Sequence, residues 1–450
     1  MDMANHLNMT KGRPAGLMLR FALPLMLGSV LQQLYTVVDT AIVGQGVGLN
    51  ALAALGTVDW LNWMFLGIAQ GFSQGFSVRM SQKYGQGDIA GLKRTIGVSV
   101  RLSLWIALIA VVTSQLLLPM FLSVLRVPAA LYDMALLYTR ILMAGLPAIV
   151  FYNLCASILR AVGDSKTPLM AMAAASVTNI VLDCIAVFWL KLGVAGAAGA
   201  TVIAQILAGG LCAVKIRKSP QLRFAREDMA RDSAVTGALM GLGVPMAIQS
   251  IIISIGGMAV QSVVNQFNET SFIAGFTATN KLYGLLEIAA VSYGYAITTF
   301  TGQNFGAGLW DRIRKGNRQA VLISIATAVL IGAVMILLGR EITMLFISRE
   351  DPVLAAAAGE TAYRYLFVMS ISLPILYLLY AYRSALQGMG DAKIPLLSGV
   401  AELVMRVGVA MVIGRIGWQD GIYLAEVSAW LGAAVLQGIA YYYRVAKLGK

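Results

Sequence analysis

The sequence predicts an all-α polytopic membrane protein, with twelve transmembrane helices in two pseudo-twofold-related six-helix lobes. Three observations predict it. Of the 450 residues, 58% are hydrophobic and only 12% charged, about half the charged share of a soluble domain. Apolar runs of roughly 20 residues recur twelve times, and that length crosses a ~30 Å hydrocarbon core as a helix. The chain also repeats itself. Pro24 and Pro245, Gln82 and Gln303, Gly85 and Gly306, and Gly87 and Gly308 are each 221 positions apart. The offset then grows to 227, for Pro147 and Pro374, Ser157 and Ser384, Gly163-Asp164 and Gly390-Asp391, and Pro168 and Pro395.

The runs lie near 17–42, 52–78, 95–118, 131–156, 168–190 and 194–214, then 236–264, 272–300, 319–338, 361–382, 394–414 and 421–443. The first carries Pro24 and Asp39 and belongs to the repeat, so it reads as a span and not a cleavable signal. Six spans per copy bring both copies into the membrane in the same orientation. Lobes 1–214 and 236–450 are therefore expected around a central cleft, joined by a cytoplasmic linker at 215–235. This duplicated layout is typical of secondary transporters. Prolines at 24, 147, 245 and 374 fall inside spans, where each frees a carbonyl and serves either helix shaping or a hinge.

The net charge of +13 does not point to nucleic acid, because its distribution is one-sided. Arg79, Lys83, Lys93 and Arg94 follow span 2. Lys215, Arg217, Lys218, Arg223, Arg226 and Arg231 follow span 6, and Arg312, Arg314, Lys315 and Arg318 follow span 8. Only Arg126, Lys191, Arg340, Arg349 and Arg415 fall in the opposite loops. The excess of Lys and Arg on one side puts both termini and the linker in the cytoplasm. A multi-pass protein of the plasma or inner membrane is expected.

Enzyme chemistry finds little support. Gly71-Phe72-Ser73-Gln74-Gly75 matches G-x-S-x-G, but His6 in the tail is the only histidine, so a serine nucleophile has no membrane histidine as its base. A Ser–Lys dyad through Lys281 is the one arrangement left open. Gly193, Gly196 and Gly199, like Gly302 and Gly306, follow no expected strand and read as helix packing, not a phosphate loop. Asn268-Glu269-Thr270 is a sequon by pattern alone, in a short loop close to the membrane. Cys155, Cys184 and Cys212 sit in spans without metal-ligand spacing and read as small apolar residues.

Ionisable residues inside the membrane are expensive and are functional candidates. Asp183 lies 15 residues into span 5, roughly 22 Å from the cytoplasmic face at 1.5 Å per residue. Asn179 is one turn before it, Thr201 on span 6 reaches a similar level, and Asp39 is late in span 1. These four supply carboxylate, amide and hydroxyl oxygens at one depth, suited to a proton or to a hard cation such as Na⁺. The second lobe differs. At the repeat offsets Arg406 replaces Asn179 and Val260 replaces Asp39. Glu287, Glu402 and Arg406 share an inner-half depth, and Glu402 is one turn from Arg406. They are expected to form an internal charge network centred on Arg406. Asp59, Lys281 and Glu426 sit nearer the outer face, where water reaches them. Arg140 and Arg364 are expected to reach toward water as well.

At these residues the chain resembles the multidrug and toxic compound extrusion (MATE) family over nearly its full length. The resemblance rests on Pro24 with Val38-Asp39 and Gly44, on Gln82-x-x-Gly85 and Gln303-x-x-Gly306-Ala307, and on Gly163-Asp164 with Pro168 and Gly390-Asp391 with Pro395. Asp39, Asn179, Asp183 and Thr201 match the amino-lobe cation site of the DinF-like branch. The acid that the NorM-like branch carries in helix 7 has no counterpart in 236–264. The resemblance implies export of amphipathic, often cationic, organic compounds in antiport with H⁺ or Na⁺, by alternating access and without a cofactor. The implied partners are small organic substrates and the bilayer, with no nucleic acid, and a functional monomer is expected. The alternative is a lipid or lipid-linked oligosaccharide flippase of related fold, for which an acid-bearing amino lobe is a poor match.

Overall fold

The computed structural model describes residues 7–125, 127–347 and 352–448. His6, Arg126 and Arg349 lie outside the described residues. Thirteen α-helices follow in order: α1 (Pro14–Gly46), α2 (Leu49–Gly85), α3 (Ile89–Val124), α4 (Ala129–Ala144), α5 (Leu146–Ala161), α6 (Lys166–Cys184), α7 (Gly193–Lys218), α8 (Ser233–Gln266), α9 (Thr270–Gly306), α10 (Trp310–Met344), α11 (Pro352–Gly388), α12 (Lys393–Ile416) and α13 (Tyr423–Ala446). The helices coincide with the twelve apolar runs, α4 and α5 together making span 4. Several, such as α2, α9 and α10, extend beyond their runs by a turn or more, because a helix continues into the polar interface, where apolar composition is no longer required. Among the described residues, nine helices are long and apolar enough to cross a membrane, or eleven with each of two bent pairs taken as one span. The remaining long helix, α9, has 37 residues and carries Lys281 and Glu287.

The prolines act unequally. Pro147 follows Gly145, where α4 and α5 meet at a 44° bend. Its repeat partner Pro374, like Pro24 and Pro245, lies inside an unbroken helix. A proline removes one ladder hydrogen bond and permits a bend, but of these four only Pro147 stands at a break in the helix.

The Gly-Asp pairs of the repeat are turn devices. Gly163 (φ 89°) and Gly390 (φ 84°) take left-handed backbone that a side chain disfavours. The following acids then start the next helix. Asp164 accepts from the Thr167 amide at 3.0 Å and Asp391 from the Ile394 amide at 3.2 Å, satisfying amides with no intrahelical partner.

The chain divides into two compact units, Met1–Met9 with Leu23–Ser250, and Thr10–Ala22 with Ile251–Lys450. The division runs through α1 and α8, close to Pro24 and Pro245, and not through the basic stretch 215–235. In the first unit α2 packs on α3, α4 and α5, and α7 packs on α4, α5 and α6. The G-x-S-x-G run of α2 is part of this packing. A Cβ on Gly71 would meet the Ala247 backbone at 2.7 Å, and one on Gly75 the Gly243 backbone at 2.6 Å. Ser73 is buried. The glycines let α2 and the first half of α8 approach backbone to backbone, the small-xxx-small use of the motif. A short 3-10 turn at Arg226–Met229 docks the linker on α3, where Arg94 donates to the Glu227 carbonyl at 2.6 Å and Arg101 to the Met229 carbonyl at 3.0 Å.

In the second unit α11 is the central helix, packed against α9, α10 and α13. A run of stacked rings fixes these contacts. Phe276 stacks on Tyr365 at 4.7 Å, and Tyr365 stacks on Tyr423 at 4.8 Å. Each such pair adds about 0.5–1.5 kcal/mol beyond the area it buries.

Candidate functional site

The site in the first unit is built on one face of α6. Met172, Ser176, Asn179 and Asp183 follow the three-and-four spacing of a helical stripe. Just past Asp183 the helix widens into a π-turn, Ile185–Trp189, with the Leu190 amide donating to the Ile185 carbonyl at 2.9 Å. Such widened turns recur at functional positions because they rotate the residues around them off the regular ladder. Along α6, Ala171, Met172 and Ala175 belong to one apolar cluster and Cys184 with Val187 to another. Asn179 and Asp183 form the polar band between them, and both are buried.

The structure brings together the four residues expected from depth. The Asp39 and Asp183 carboxyl groups are close enough to interact directly. Asn179 donates from Nδ2 to the Thr201 hydroxyl at 3.5 Å, and Thr201 donates to the Ala197 carbonyl at 3.2 Å. That hydroxyl turns the Asn179 amide and leaves its Oδ1 free. Four buried oxygens have no hydrogen-bond partner: Asp39 Oδ1, Asn179 Oδ1 and both carboxylate oxygens of Asp183. Buried polar atoms are nearly always satisfied, so a cluster of orphaned acceptors is a place for a donor or a positive charge from outside the protein. Two facing carboxylates sharing one site hold a proton between them or a positive ion. Among the described residues no group of three or more His, Cys, Asp or Glu is gathered. The oxygens offered to an ion are therefore two carboxylates and one amide, a hard-donor set that fits Na⁺ and not a transition metal.

A narrow cavity opens beside these groups, lined in part by Tyr35, Ser176, Asn179, Thr201 and Gln205. Gln205 Oε1 is also unpartnered. Tyr35 and Tyr138 face both acids. Sequence reasoning named none of these three. The signal existed for two of them, since Tyr35 is one turn before Asp39 and Gln205 one turn after Thr201. For Tyr138, on α4, it did not.

The expected carboxy-terminal network of Glu287, Glu402 and Arg406 needs correction. Arg406 pairs with Glu426 at 2.8 Å, and Glu402 is held by Arg383. Arg406 also donates to the Ile253 carbonyl at 3.5 Å. Glu287 accepts from the Tyr380 hydroxyl. A four-residue spacing puts Glu402 and Arg406 on one face of α12, but each side chain finds its partner on another helix. Glu426 is mostly buried, its side chain 15% exposed, and not wetted as expected. Asp59, Arg140, Lys281 and Arg364 are exposed, as expected.

The geometry agrees with the comparison to known proteins. A family model described as MatE matches residues 24–185 and 245–412, most of the chain and both copies of the repeat. The chain is 29% identical over 343 residues to the probable multidrug resistance protein YoeA of Bacillus subtilis (strain 168), covering 74% of this chain and 73% of that protein. It is 29% identical over 353 residues to the probable multidrug resistance protein YpnP of the same organism, covering 78% of each. Its fold is similar to a structure described as the outward-facing conformation of a multidrug resistance MATE family transporter of the MOP superfamily, with a TM-score of 0.92 at 23% identity over all of both chains. The chain is a multi-pass membrane protein that belongs to the multidrug and toxic compound extrusion (MATE) family of transporters, and it is not an enzyme.

Proposed function

We propose that this protein exports amphipathic, often cationic, organic compounds by antiport, and that the Asp39–Asp183 pair with Asn179 and Thr201 binds the coupling H⁺ or Na⁺. The observation that carries the reading is the group of four buried oxygens without partners around two facing carboxylates. A site that holds either an ion or the consequence of substrate binding, but not both, links the two fluxes by differential affinity between two states. Asn179, turned by Thr201, supplies a neutral oxygen that favours a cation over a bare void. The multidrug relatives support small organic substrates. Both termini and the 215–235 linker lie in the cytoplasm in this reading, in line with the distribution of Lys and Arg. In this reading the protein acts as a monomer.

The test is transport of a cationic dye by purified protein in liposomes, with a pH gradient and a Na⁺ gradient imposed separately. Uptake driven by either gradient supports antiport and identifies the ion. Transport indifferent to both gradients contradicts it, and movement of labelled lipid in place of dye supports the flippase alternative.

A further inference from the structure

The linker between α7 and α8 is basic, and the fold holds it in one place. Leu222 is buried and Phe224 half-buried, both against the apolar cluster of the first unit. Beyond them, Arg94 and Arg101 of α3 hold the Glu227 and Met229 carbonyls, and Arg101 also donates to the Thr236 hydroxyl at 3.3 Å. Gly97, between the two arginines, makes room for this seat. A Cβ there would lie 2.5 Å from the Asp228 main chain. Two acids of the linker turn to the protein. Asp228 accepts from the Ala225 amide at 2.7 Å; Asp232 accepts from the Val235 amide at 3.0 Å and pairs with Arg94 at 3.4 Å. Glu227 is the one exposed acid between 215 and 232. Arg217, Lys218, Arg223, Arg226 and Arg231 are all exposed. Among the described residues none of these five forms an ion pair.

Both ends of this row meet the edge of an exposed apolar surface. On α7, Ile203, Ile206 and Val214 are exposed on one helix face, and Arg217 continues that face. On α3, the exposed Leu104 and Trp105 begin one turn after Arg101, which holds Met229. In a membrane-spanning protein such faces lie in hydrocarbon, and the first cations beyond them lie at the headgroups. We infer that the linker is a lipid-binding surface, its fixed row of unpaired cations binding the headgroup phosphates of anionic phospholipids. A zwitterionic headgroup balances its own phosphate, so the surface selects lipids with a net negative charge. A mobile basic tether would have to be ordered when the lipids bind. The seat on α3 has already met that cost. The surface is separate from the ion site on α6, and it works in the same way on either side of the membrane.

The experiment is titration of phosphatidylglycerol, with phosphatidylcholine as the neutral control, into purified full-length protein in uncharged micelles. Native mass spectrometry counts the lipids retained. The parent should retain phosphatidylglycerol in preference to phosphatidylcholine, and the preference should weaken as salt is raised. Arg217→Gln, Lys218→Gln, Arg223→Gln, Arg226→Gln and Arg231→Gln combined should lower that retention about tenfold or more. Lys11→Gln, Arg13→Gln, Lys315→Gln, Arg318→Gln and Lys393→Gln combined remove the same charge from exposed positions of the second unit and should lower it far less. Gly97→Ala keeps every cation but puts a methyl group against the Asp228 main chain, so it should lower retention as well. Equal losses from the two five-fold variants make the effect one of net charge and overturn the inference, as does a parent with no preference for phosphatidylglycerol. Undiminished retention by Gly97→Ala overturns the fixed seat as its basis. Both five-fold variants change only exposed side chains, so that comparison stands even if Gly97→Ala does not fold. Neither variant touches Asp39 or Asp183, so failure here leaves the proposed ion site untouched.

Discussion

Arg406 gives the sharpest test of the pairing in the second unit. Its side chain is 6% exposed and bonds Glu426 at 2.8 Å, while Glu402, one turn away on the same helix, belongs to Arg383. Breaking a buried pair by removing one partner costs about 3–5 kcal/mol, mostly because the remaining charge is left unpaired. Glu426 is 15% exposed and can recruit some water, so Arg406→Met should fall at the lower end, about 3 kcal/mol. Adding Glu426→Gln removes the orphaned charge and should recover most of that loss. Adding Glu402→Gln should not, because it strands Arg383. Residues in direct contact show coupling of about 0.5–3 kcal/mol in a double-mutant cycle, and that coupling should appear for 406 with 426 only. Reversible unfolding of the purified variants in mixed micelles measures it. Recovery by Glu402→Gln equal to or greater than that by Glu426→Gln would refute the pairing.

Other outcomes follow from the packing and the loops. Gly75→Val places side-chain atoms where the Gly243 backbone lies at 2.6 Å from a Cβ; it should lower stability by about 1–3 kcal/mol or more in a melting assay, whereas Ser73→Ala should transport normally, excluding a serine nucleophile. Asp88 caps α3 by accepting from the Gly91 amide at 2.8 Å and pairs with Lys83 at 2.7 Å, so Asp88→Ala should cost about 0.5–2 kcal/mol. Lys83 and that amide hold the Asp88 carboxyl below the usual carboxylate range. Its contribution is therefore present above the unfolded carboxylate pKa and lost as pH falls through the lower folded value, and the variant and parent should converge in stability in acid. Single cysteines at exposed linker positions 220, 221 and 223 should react with an impermeant reagent only in inverted vesicles; labelling from outside intact cells would reverse the topology.

The helices were legible because hydrocarbon thickness fixes span length, and each apolar run overlaps the helix, or pair of helices, that it predicts. Depth along a span was legible too, since 1.5 Å per residue is a property of any α-helix, and it brought Asn179, Asp183, Thr201 and Asp39 to one level. Partnership across helices was not, because depth leaves the rotation of each helix open. That is why Glu402 was assigned to Arg406 on its own helix and not to Arg383. Arg383 was itself overlooked for a simple reason: the apolar run of span 10 ends at 382, but α11 continues to Gly388, carrying the arginine into the buried interior. The position of Glu426 near a helix start suggests a wetted group, and nothing local reveals that Arg406 reaches it. Gly71 and Gly75 fit half of a catalytic pattern that lacks a histidine base within the membrane. Their actual partners, Ala247 and Gly243, lie more than 160 residues on, beyond any local signal.

The central claim is that Asp39 and Asp183 bind the coupling ion. The most direct measurement is ion release from purified full-length protein when a transported cationic dye is added, followed with a pH indicator in weak buffer and, separately, with a Na⁺-selective electrode. The account predicts that one of the two ions is released on dye binding, and that Asp39→Asn and Asp183→Asn each abolish the release while the protein keeps its helical content and melting behaviour. Undiminished release from either folded variant would contradict the claim for that residue, and release unaffected by both would place coupling elsewhere in the protein.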